Sequence, residues 1–230
     1  MALTNLDYKA LPKLSDIQGF WRLEEESGTR DDLSDNNNDL AEINTVTYDT
    51  GKIGNAAKFV VANDEVLYRL SGDCVGINNS TFTLLAWIKM ATGSIRTIVG
   101  GSLGSSGNRQ FRVETDGKLG LIKGGVAVVG YSSDSIGNDI WTHVGVSYDG
   151  TDYKFYINGS LSGSGSNAQT LINGDYYVGS NNDSIEDMDG LIDEHLNYDV
   201  LLTDNDVADI YAITSVDGYS STFIPKIIIL

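Results

Sequence analysis

The sequence predicts an all-β protein in which two antiparallel sheets pack face to face as a sandwich or jelly roll. Two observations lead to this fold class. Apolar and polar residues alternate along many short segments, which is typical of strands with one buried face. Turn pairs such as Asp149-Gly150 and Asn158-Gly159 separate several of these segments, in a chain of 230 residues with 26 glycines and 2 prolines.

The clearest predicted strand covers residues 81–90, where Phe82, Leu84 and Ala86 fall on one face. Segments 141–148 and 153–157 alternate in the same way. Shorter strands are predicted at 19–23, 56–60, 65–70, 95–100, 110–114, 118–122, 126–131, 176–179 and 190–198. The three tryptophans lie on or beside these strands and are expected to be core residues: Trp21, Trp87 and Trp141.

One short helix is predicted near the C-terminus. Thr203 can cap it, Asp204 and Asp206 suit the positive end of its dipole, and Val207 and Ile210 begin an apolar stripe. No second core and no linker is evident. We therefore expect one jelly-roll domain over residues 17–214, flanked by an N-terminal arm (1–16) and a C-terminal tail (215–230).

Composition excludes several partners. The chain has 15 Lys+Arg against 32 Asp+Glu, a formal net charge of −17. Nucleic acids and anionic membranes attract clustered cations, so neither is an expected partner. No stretch approaches the length of a membrane span, and the single Cys74 excludes an intramolecular disulfide.

The two ends suggest attachment to other subunits. The N-terminus lacks the cationic start and apolar run of a secretory signal, and the C-terminus carries four consecutive large aliphatic residues at 227–230. Such a run is unfavourable in water unless it docks on something. We expect both ends to dock on a larger protein assembly; packing against their own domain is the alternative.

Five segments occur in an order that points to a known family. They are FWRLEE with the following SGT and DLSDN (20–36), GKIGNA (51–56), FTLLAWI (82–88), WTHV with YDG and YING (141–159), and GLIDEHLNY (190–198). Together they resemble the laminin-G-like domains of the concanavalin A-like lectin/glucanase superfamily, over about residues 17–214. The resemblance implies a jelly roll but no single function, because lectins, adhesins, hydrolases and structural modules share this fold.

Catalysis is not expected. Glucanases of this superfamily carry a Glu-x-Asp-x-Glu strand, whose alternate acids face the sugar together. The nearest segment here has Asp187 and Asp189, but Leu191 follows where a third acid is needed. Neither His143 nor His195 lies beside a nucleophile motif, and His143 is expected to be a packed structural residue.

A calcium site is the better chemical prediction. The loop at residues 31–39 is dense in hard oxygen donors, although it does not have the spacing of an EF-hand. The family resemblance implies a structural Ca²⁺ where this loop meets the acid pair of the last strand. Carried over to this sequence, the ligands are Asp32, Asn36 and one of Asp193 or Glu194; a plain polar turn at residues 36–38 is the alternative.

Glycan recognition, also implied by the resemblance, needs an exposed aromatic ring beside amides and acids. Tyr131, Tyr176 and Tyr177 are the expected exposed rings, with the glycine-rich loops at 101–108 and 159–167. The sequence does not select among them.

Three functions remain open. The first is a non-catalytic, lectin-like module displayed on a larger assembly such as a virion, as a decoration, fibre or adhesion protein that recognises a cell-surface glycan. Its location would be the virion surface, or otherwise extracellular. The second is a secreted carbohydrate-binding accessory module of a glycan-degrading or adhesion protein, and the third is a glycosidase.

Overall fold

The computed structural model describes residues 10–70, 74, 80–101, 108–124, 127–171, 174–181 and 186–215. Their strands, in chain order, are β1 (Ile17–Trp21), β2 (Ala41–Ile43), β3 (Thr47–Thr50), β4 (Asn55–Phe59), β5 (Val66–Arg69), β6 (Phe82–Met90), β7 (Arg96–Gly101), β8 (Arg109–Val113), β9 (Lys118–Lys123), β10 (Ala127–Ser135), β11 (Thr142–Tyr148), β12 (Asp152–Ile157), β13 (Ser160–Ser166), β14 (Tyr176–Val178) and β15 (Gly190–Tyr198). Helix α1 (Asp204–Thr214) follows.

These strands form two antiparallel sheets, which confirms the predicted jelly-roll sandwich. The eight-stranded sheet has the order β13-β12-β11-β6-β15-β4-β3, with β1 also paired to β15. The seven-stranded sheet has the order β10-β9-β8-β7-β14-β5-β2. Many neighbours are far apart in sequence, so the chain crosses repeatedly between the sheets, as Greek-key connections require.

The main core lies between the sheets and contains the inward residues that alternation predicted, such as Leu84 and Ala86 of β6. Trp21 stacks on Tyr176 of the opposite sheet and on His195, with ring centroids 5.6 Å and 5.2 Å apart. The stacking of Trp21 on Tyr176 joins the two sheets. Trp141 is only half-buried, unlike the other two tryptophans, because it lies just outside β11.

A second cluster lies on the outer face of the eight-stranded sheet. Val207 and Ile210 of α1 pack there, against residues that include Leu85 and Tyr156. The helix begins as predicted: the Thr203 hydroxyl accepts from the Asp206 N–H at 3.1 Å, and the Asp206 carboxylate accepts from the Thr203 N–H at 2.9 Å. The sheet therefore has one face in the main core and the other under the helix.

Three strands depart from the sequence prediction. The structure adds β2 and β3, and β13 occupies most of the segment predicted as a glycine-rich loop at 159–167, so that loop prediction is wrong. The predicted turn before it is confirmed, with φ of 49° at Asn158 and 74° at Gly159. This tight hairpin pairs β13 with β12, although its Ser-Gly alternation carries little hydrophobic signal.

The tails are described only in part. Leu11 is buried in the second cluster, so the end of the predicted arm lies on the domain. Residues 1–9 and 216–230 lie outside the described part of the chain, and so do 102–107 of the other predicted glycine-rich loop. Docking of the tails on an assembly stays a prediction. Within the described residues, no helix is both long and apolar enough to cross a membrane.

Candidate functional site

The outer face of the seven-stranded sheet carries a row of polar and aromatic residues around a glycine. Antiparallel register places Tyr131 of β10 opposite Gly120 of β9, Gly120 opposite Arg112 of β8, and Arg112 opposite Thr97 of β7. Cross-strand partners project to the same side of a sheet. Phe111 and Val113 point into the core, so the alternate positions of β8 point outward. We call the outward residues Gln110, Arg112, Glu114, Gly120 and Tyr131 the outer-face row.

Tyr131 provides an aromatic surface at one end of this row. Its side chain is 43% exposed, although its ring packs over Gly120. A Cβ on Gly120 would lie 3.2 Å from the ring and 2.8 Å from a carboxylate oxygen of Glu114. The missing side chain therefore lets the tyrosine lie across the strand. Partial burial, together with the nearby Glu114 carboxylate, raises the pKa of the Tyr131 hydroxyl, which stays protonated at neutral pH.

Arg112 lies at the centre of a polar network in the same row. Its Nε donates to Glu114 at 2.7 Å, and a terminal nitrogen donates to Glu186 at 3.1 Å. The Gln110 amide donates to Glu186 at 2.6 Å and to the Thr97 hydroxyl at 2.9 Å. These contacts hold the polar groups in fixed positions before any ligand arrives.

The segment after β14 borders this network. The Asn181 amide donates to Glu186 at 3.2 Å. A Cβ on Gly100 would lie only 2.8 Å from the Asn181 Cα, so this segment lies directly against the sheet. The two amides are themselves buried beneath the network. The surface therefore has an aromatic ring on one side and partly exposed carboxylates and a guanidinium on the other. Such a surface suits a ligand with apolar faces and many hydroxyl groups.

The other two predicted ligand-binding tyrosines lie elsewhere. Tyr176 is fully buried, and its hydroxyl hydrogen-bonds the His195 Nε2 at 2.7 Å. Tyr177 points to the opposite face but is only 6% exposed. The expectation that both rings are exposed is therefore wrong, because consecutive strand residues face opposite ways and Tyr177 is covered.

Of the predicted calcium ligands, Asp32 is buried and surrounded by protein donors. Its Oδ1 accepts from the N–H groups of Phe20 and Ser34, at 2.9 and 2.8 Å. Its Oδ2 accepts from the Ser34 hydroxyl at 2.6 Å and the Asn38 N–H at 2.8 Å. The Asn36 amide contacts Gln18 Oε1 at 3.1 Å. These residues organise their own loop, and four protein donors take the positions from which Asp32 would coordinate a cation.

Asp193 and Glu194 are buried and form a separate carboxylate cluster with Glu24, which is only half-buried. Each has one oxygen satisfied: Asp193 Oδ2 accepts from the Ile53 N–H, and Glu194 Oε1 accepts from Arg22 Nε, both at 2.9 Å. No donor among the described residues reaches Asp193 Oδ1 or Glu194 Oε2. Burial and mutual repulsion raise the pKa of Asp193 well above its usual range, and burial raises that of Glu194 to about 7.

A bulge in β15 explains how consecutive acids reach one cluster. The pairing register shifts between Asp193 and Leu196, and Glu194 has a φ of 48°. The turn that follows β3 packs against Asp193 and Glu24. A Cβ on Gly51 would lie 2.7 Å from an Asp193 oxygen, while one on Gly54, whose φ is 64°, would strike the Glu24 carboxylate. The Asn55 backbone and the Asp193 carboxylate thus both exclude a side chain at Gly51, and the Glu24 carboxylate and the positive φ do so at Gly54.

The carboxylate cluster fits a cation only with help from other donors. Over the described ranges, no three His, Cys, Asp or Glu side chains are gathered closely enough to hold a metal by themselves. The unsatisfied oxygens of Asp193 and Glu194, however, would gain a partner from a bound cation. The two unsatisfied oxygens of Asp193 and Glu194 are therefore compatible with a calcium ion, whereas the oxygens of Asp32 already accept four hydrogen bonds from the protein.

Residues considered for catalysis do not form a catalytic constellation in the described structure. Asp187 is buried and Asp189 is exposed, so the two do not share a sugar-facing surface. Both histidines are buried, and desolvation lowers the pKa of His143 to about 3 and of His195 to about 4. His143 packs between Trp87 and Tyr211, which confirms its predicted structural role.

Comparison with known families agrees with this fold. The profile of the concanavalin A-like lectin/glucanases superfamily matches residues 63–208, well over half of the chain. The chain belongs to this superfamily. A search of curated proteins found no match.

Several solved structures share the fold. Domain 4 of AbnA, a GH43 extracellular arabinanase from Geobacillus stearothermophilus solved with arabinotriose, superposes with a TM-score of 0.68 and 21% identity, covering 85% of this chain and 98% of that one. The binding domain of Paraclostridial Mosquitocidal Protein 1 superposes with a TM-score of 0.64 and 16% identity, covering 86% of this chain and 52% of that one. Trypanosoma rangeli sialidase with the inhibitor DANA superposes with a TM-score of 0.63 and 15% identity, covering 84% of this chain and 32% of that one. These likenesses establish the fold.

Proposed function

We propose that this protein is a non-catalytic carbohydrate-binding module whose ligand lies on the outer-face row. The observation that carries the proposal is the exposed ring of Tyr131 beside the ordered Arg112 network. The apolar face of a sugar ring packs well on an aromatic side chain. Sugar hydroxyls both donate and accept, so they can hydrogen-bond the carboxylates and the guanidinium of the network.

Similarity to sugar-binding relatives supports this choice. The arabinanase domain that shares the fold was solved with an arabinose trisaccharide, and it is nearly the same length as the matched part of this chain. That ligand belongs to the relative. For this chain it supports a glycan as the class of ligand, without naming the sugar.

The ion pairs made by the two glutamates of the row favour binding over hydrolysis as the function. Glu114 and Glu186 are both ion-paired to Arg112. A glycosidase needs one protonated acid and a second carboxylate free to act on the sugar. With a guanidinium between them, these two glutamates are arranged to hold hydroxyls in place. The glycosidase alternative built on Asp187 and Asp189 lacks a shared face.

The test is replacement of the aromatic platform. Tyr131→Ala should abolish binding on a glycan array and in calorimetric titration, because stacking is lost while the fold stays intact. Tyr48→Ala is the matched control, since Tyr48 is equally exposed (42%) but lies on β3 at an edge of the other sheet. Equal binding by both variants, or no glycan bound by the wild type, would refute the proposal.

We also propose that a structural Ca²⁺ binds beside Asp193 and Glu194, where it would supply positive charge to two buried oxygens that lack donors. Removing it with a chelator should lower the melting temperature, and added Ca²⁺ should restore it. Asp193→Asn should remove this response, while Asp32→Asn should leave the response to Ca²⁺ in place. An unchanged melt in chelator would argue against the ion.

The setting of the module stays a prediction. Display on an assembly such as a virion, through residues 1–16 and 215–230, and secretion as an accessory module of a longer protein both suit a binding domain. Carbohydrate binding by the outer-face row is independent of that choice.

A further inference from the structure

We infer that the outer-face row selects neutral glycans and rejects acidic ones such as uronates and sialosides. The inference rests on the proposed carbohydrate-binding function and specifies its ligand class. It follows from how the charges of the row are arranged.

The guanidinium at the centre of the row is already engaged by two carboxylates. Arg112 Nε is 2.7 Å from Glu114, and a terminal nitrogen is 3.1 Å from Glu186. The same nitrogen also donates to Gln110 Oε1 at 3.2 Å. A sugar carboxylate that approached Arg112 would meet a carboxylate on either side and would have to displace an existing ion pair. Like charges in contact oppose binding strongly, which is a common source of specificity.

Neighbouring charges do not reverse this balance. Lys118 lies on the same face of β9, two residues from Gly120, and Asp116 lies in the preceding turn. In the described part of the chain, the acids Glu114, Asp116 and Glu186 lie beside the bases Arg112 and Lys118, so acids are in excess. The formal net charge of the whole chain is −17, which repels anions at long range.

A neutral sugar meets none of these penalties. Glu114 and Glu186 are 15% and 22% exposed at the side chain, so hydroxyl donors can reach part of each carboxylate. Hydroxyl groups can add to this network without breaking the ion pairs, because each carboxylate accepts several hydrogen bonds. The network is thus complementary to polyols.

The experiment compares matched pairs of glycans that differ mainly in charge. The probes are galacto-oligosaccharides against oligogalacturonides of equal length, lactose against sialyllactose, and arabinotriose as a further neutral probe. Wild-type protein should bind the neutral member of any recognised pair about tenfold or more tightly at low salt. The difference should shrink at high ionic strength, because salt screens the repulsion.

A charge variant sharpens the test. The double replacement Glu114→Gln and Glu186→Gln removes both acids beside Arg112 and keeps the amide hydrogen bonds, so it should shift relative affinity toward the acidic member. Asp49→Asn, on the edge strand β3, removes a surface acid far from the row and should leave selectivity unchanged. Melting temperatures check that each variant is folded.

The outcomes separate the two claims. Tighter binding of the acidic member by wild type, lost in Tyr131→Ala, would overturn the selectivity and keep the carbohydrate-binding function. Binding of neither member of any pair would overturn that function and the selectivity with it. If the wild type prefers the neutral glycan and the double variant loses this preference, the result would support both the carbohydrate-binding function and the selectivity.

Discussion

Two regions of this protein use the same set of charges to opposite effect. On the outer-face row, Arg112 is paired with Glu114 and Glu186. In the carboxylate cluster, Arg22 is paired with Glu24 at 2.8 Å and Glu194 at 2.9 Å. Each arginine joins two glutamates, and Glu24 is about as exposed as the two glutamates of the row. The networks differ at Glu194, whose side chain is fully buried.

Water access makes the difference. Both glutamates of the row keep some exposure, whereas Glu194 has none and Asp193 beside it is also fully buried. Carboxylates that water can reach are stable as anions, and ligand hydroxyls can replace that water. Buried carboxylates with an unsatisfied oxygen instead favour a proton or a cation. Burial, more than residue type, therefore distinguishes the region proposed to bind sugars from the region proposed to bind an ion.

The largest expected effect is the contrast between the two arginines. Arg22→Ala should cost about 3 to 5 kcal/mol of unfolding free energy, because it leaves Glu194 buried without its partner. Arg112→Ala should cost about 1 kcal/mol, since water can solvate the glutamates left behind, and it should weaken glycan binding strongly. Urea denaturation and glycan titration of both variants measure the two effects.

Equal destabilisation by the two arginine variants would contradict the comparison. Such a result would mean that the row is as tightly closed as the cluster, and that a ligand could not reach its carboxylates. Arg96→Ala, at the start of β7, serves as a control for general loss of positive charge.

The next expected effect is on the pH dependence of the unfolding free energy, measured in the presence of a chelator. Burial raises the pKa of Glu194 to about 7, from an ordinary value of 4.5. A raised carboxyl pKa contributes stability below pH 4.5, and this is lost as pH rises toward 7. The unfolding free energy should therefore fall by up to about 3 kcal/mol over this range.

The buried histidines act in the opposite direction. Desolvation lowers the pKa of His143 to about 3 and of His195 to about 4. Stability from neutral imidazoles is present above pH 6.5 and is lost as pH falls below that value. Glu194→Gln isolates the carboxylate effect: its stability should fall more steeply in acid than that of the wild type. Identical pH profiles for the two proteins would contradict the assignment.

Sequence alternation was sufficient to predict the architecture and one member of the row. The prediction that Tyr131 is exposed is confirmed. The polar alternation around β8 also marks other members of the row, but the sequence-based predictions did not use it. In β8 and the residue that follows it, Gln110, Arg112 and Glu114 alternate with core residues, so one face of this segment is polar. Glu186 had no such signal, because its contact with Arg112 spans 74 positions of the chain.

The carboxylate cluster shows what the sequence could not reveal. Strict alternation places Asp193 and Glu194 on opposite faces, and only the bulge at Glu194 brings them together. Glu24 joins them through the turn at Gly54, 30 positions later in the chain. The hydrogen bonds of Asp32 were hidden for a related reason: its oxygens accept from backbone N–H groups, which the residue letters do not display.

The smallest expected change in stability concerns Gly120, which separates the platform from the network. Gly120→Ala places a Cβ 3.2 Å from the Tyr131 ring and 2.8 Å from Glu114, both ends of side chains that can move. Unfolding free energy should therefore change by less than about 1 kcal/mol. Glycan affinity should nevertheless fall several-fold, because the ring must tilt away from the sheet and from the fixed hydroxyl partners. Val128→Ala, also exposed on β10, is the control and should keep full affinity. Unchanged binding by Gly120→Ala would mean that the ring acts alone, without the geometry that joins it to Arg112.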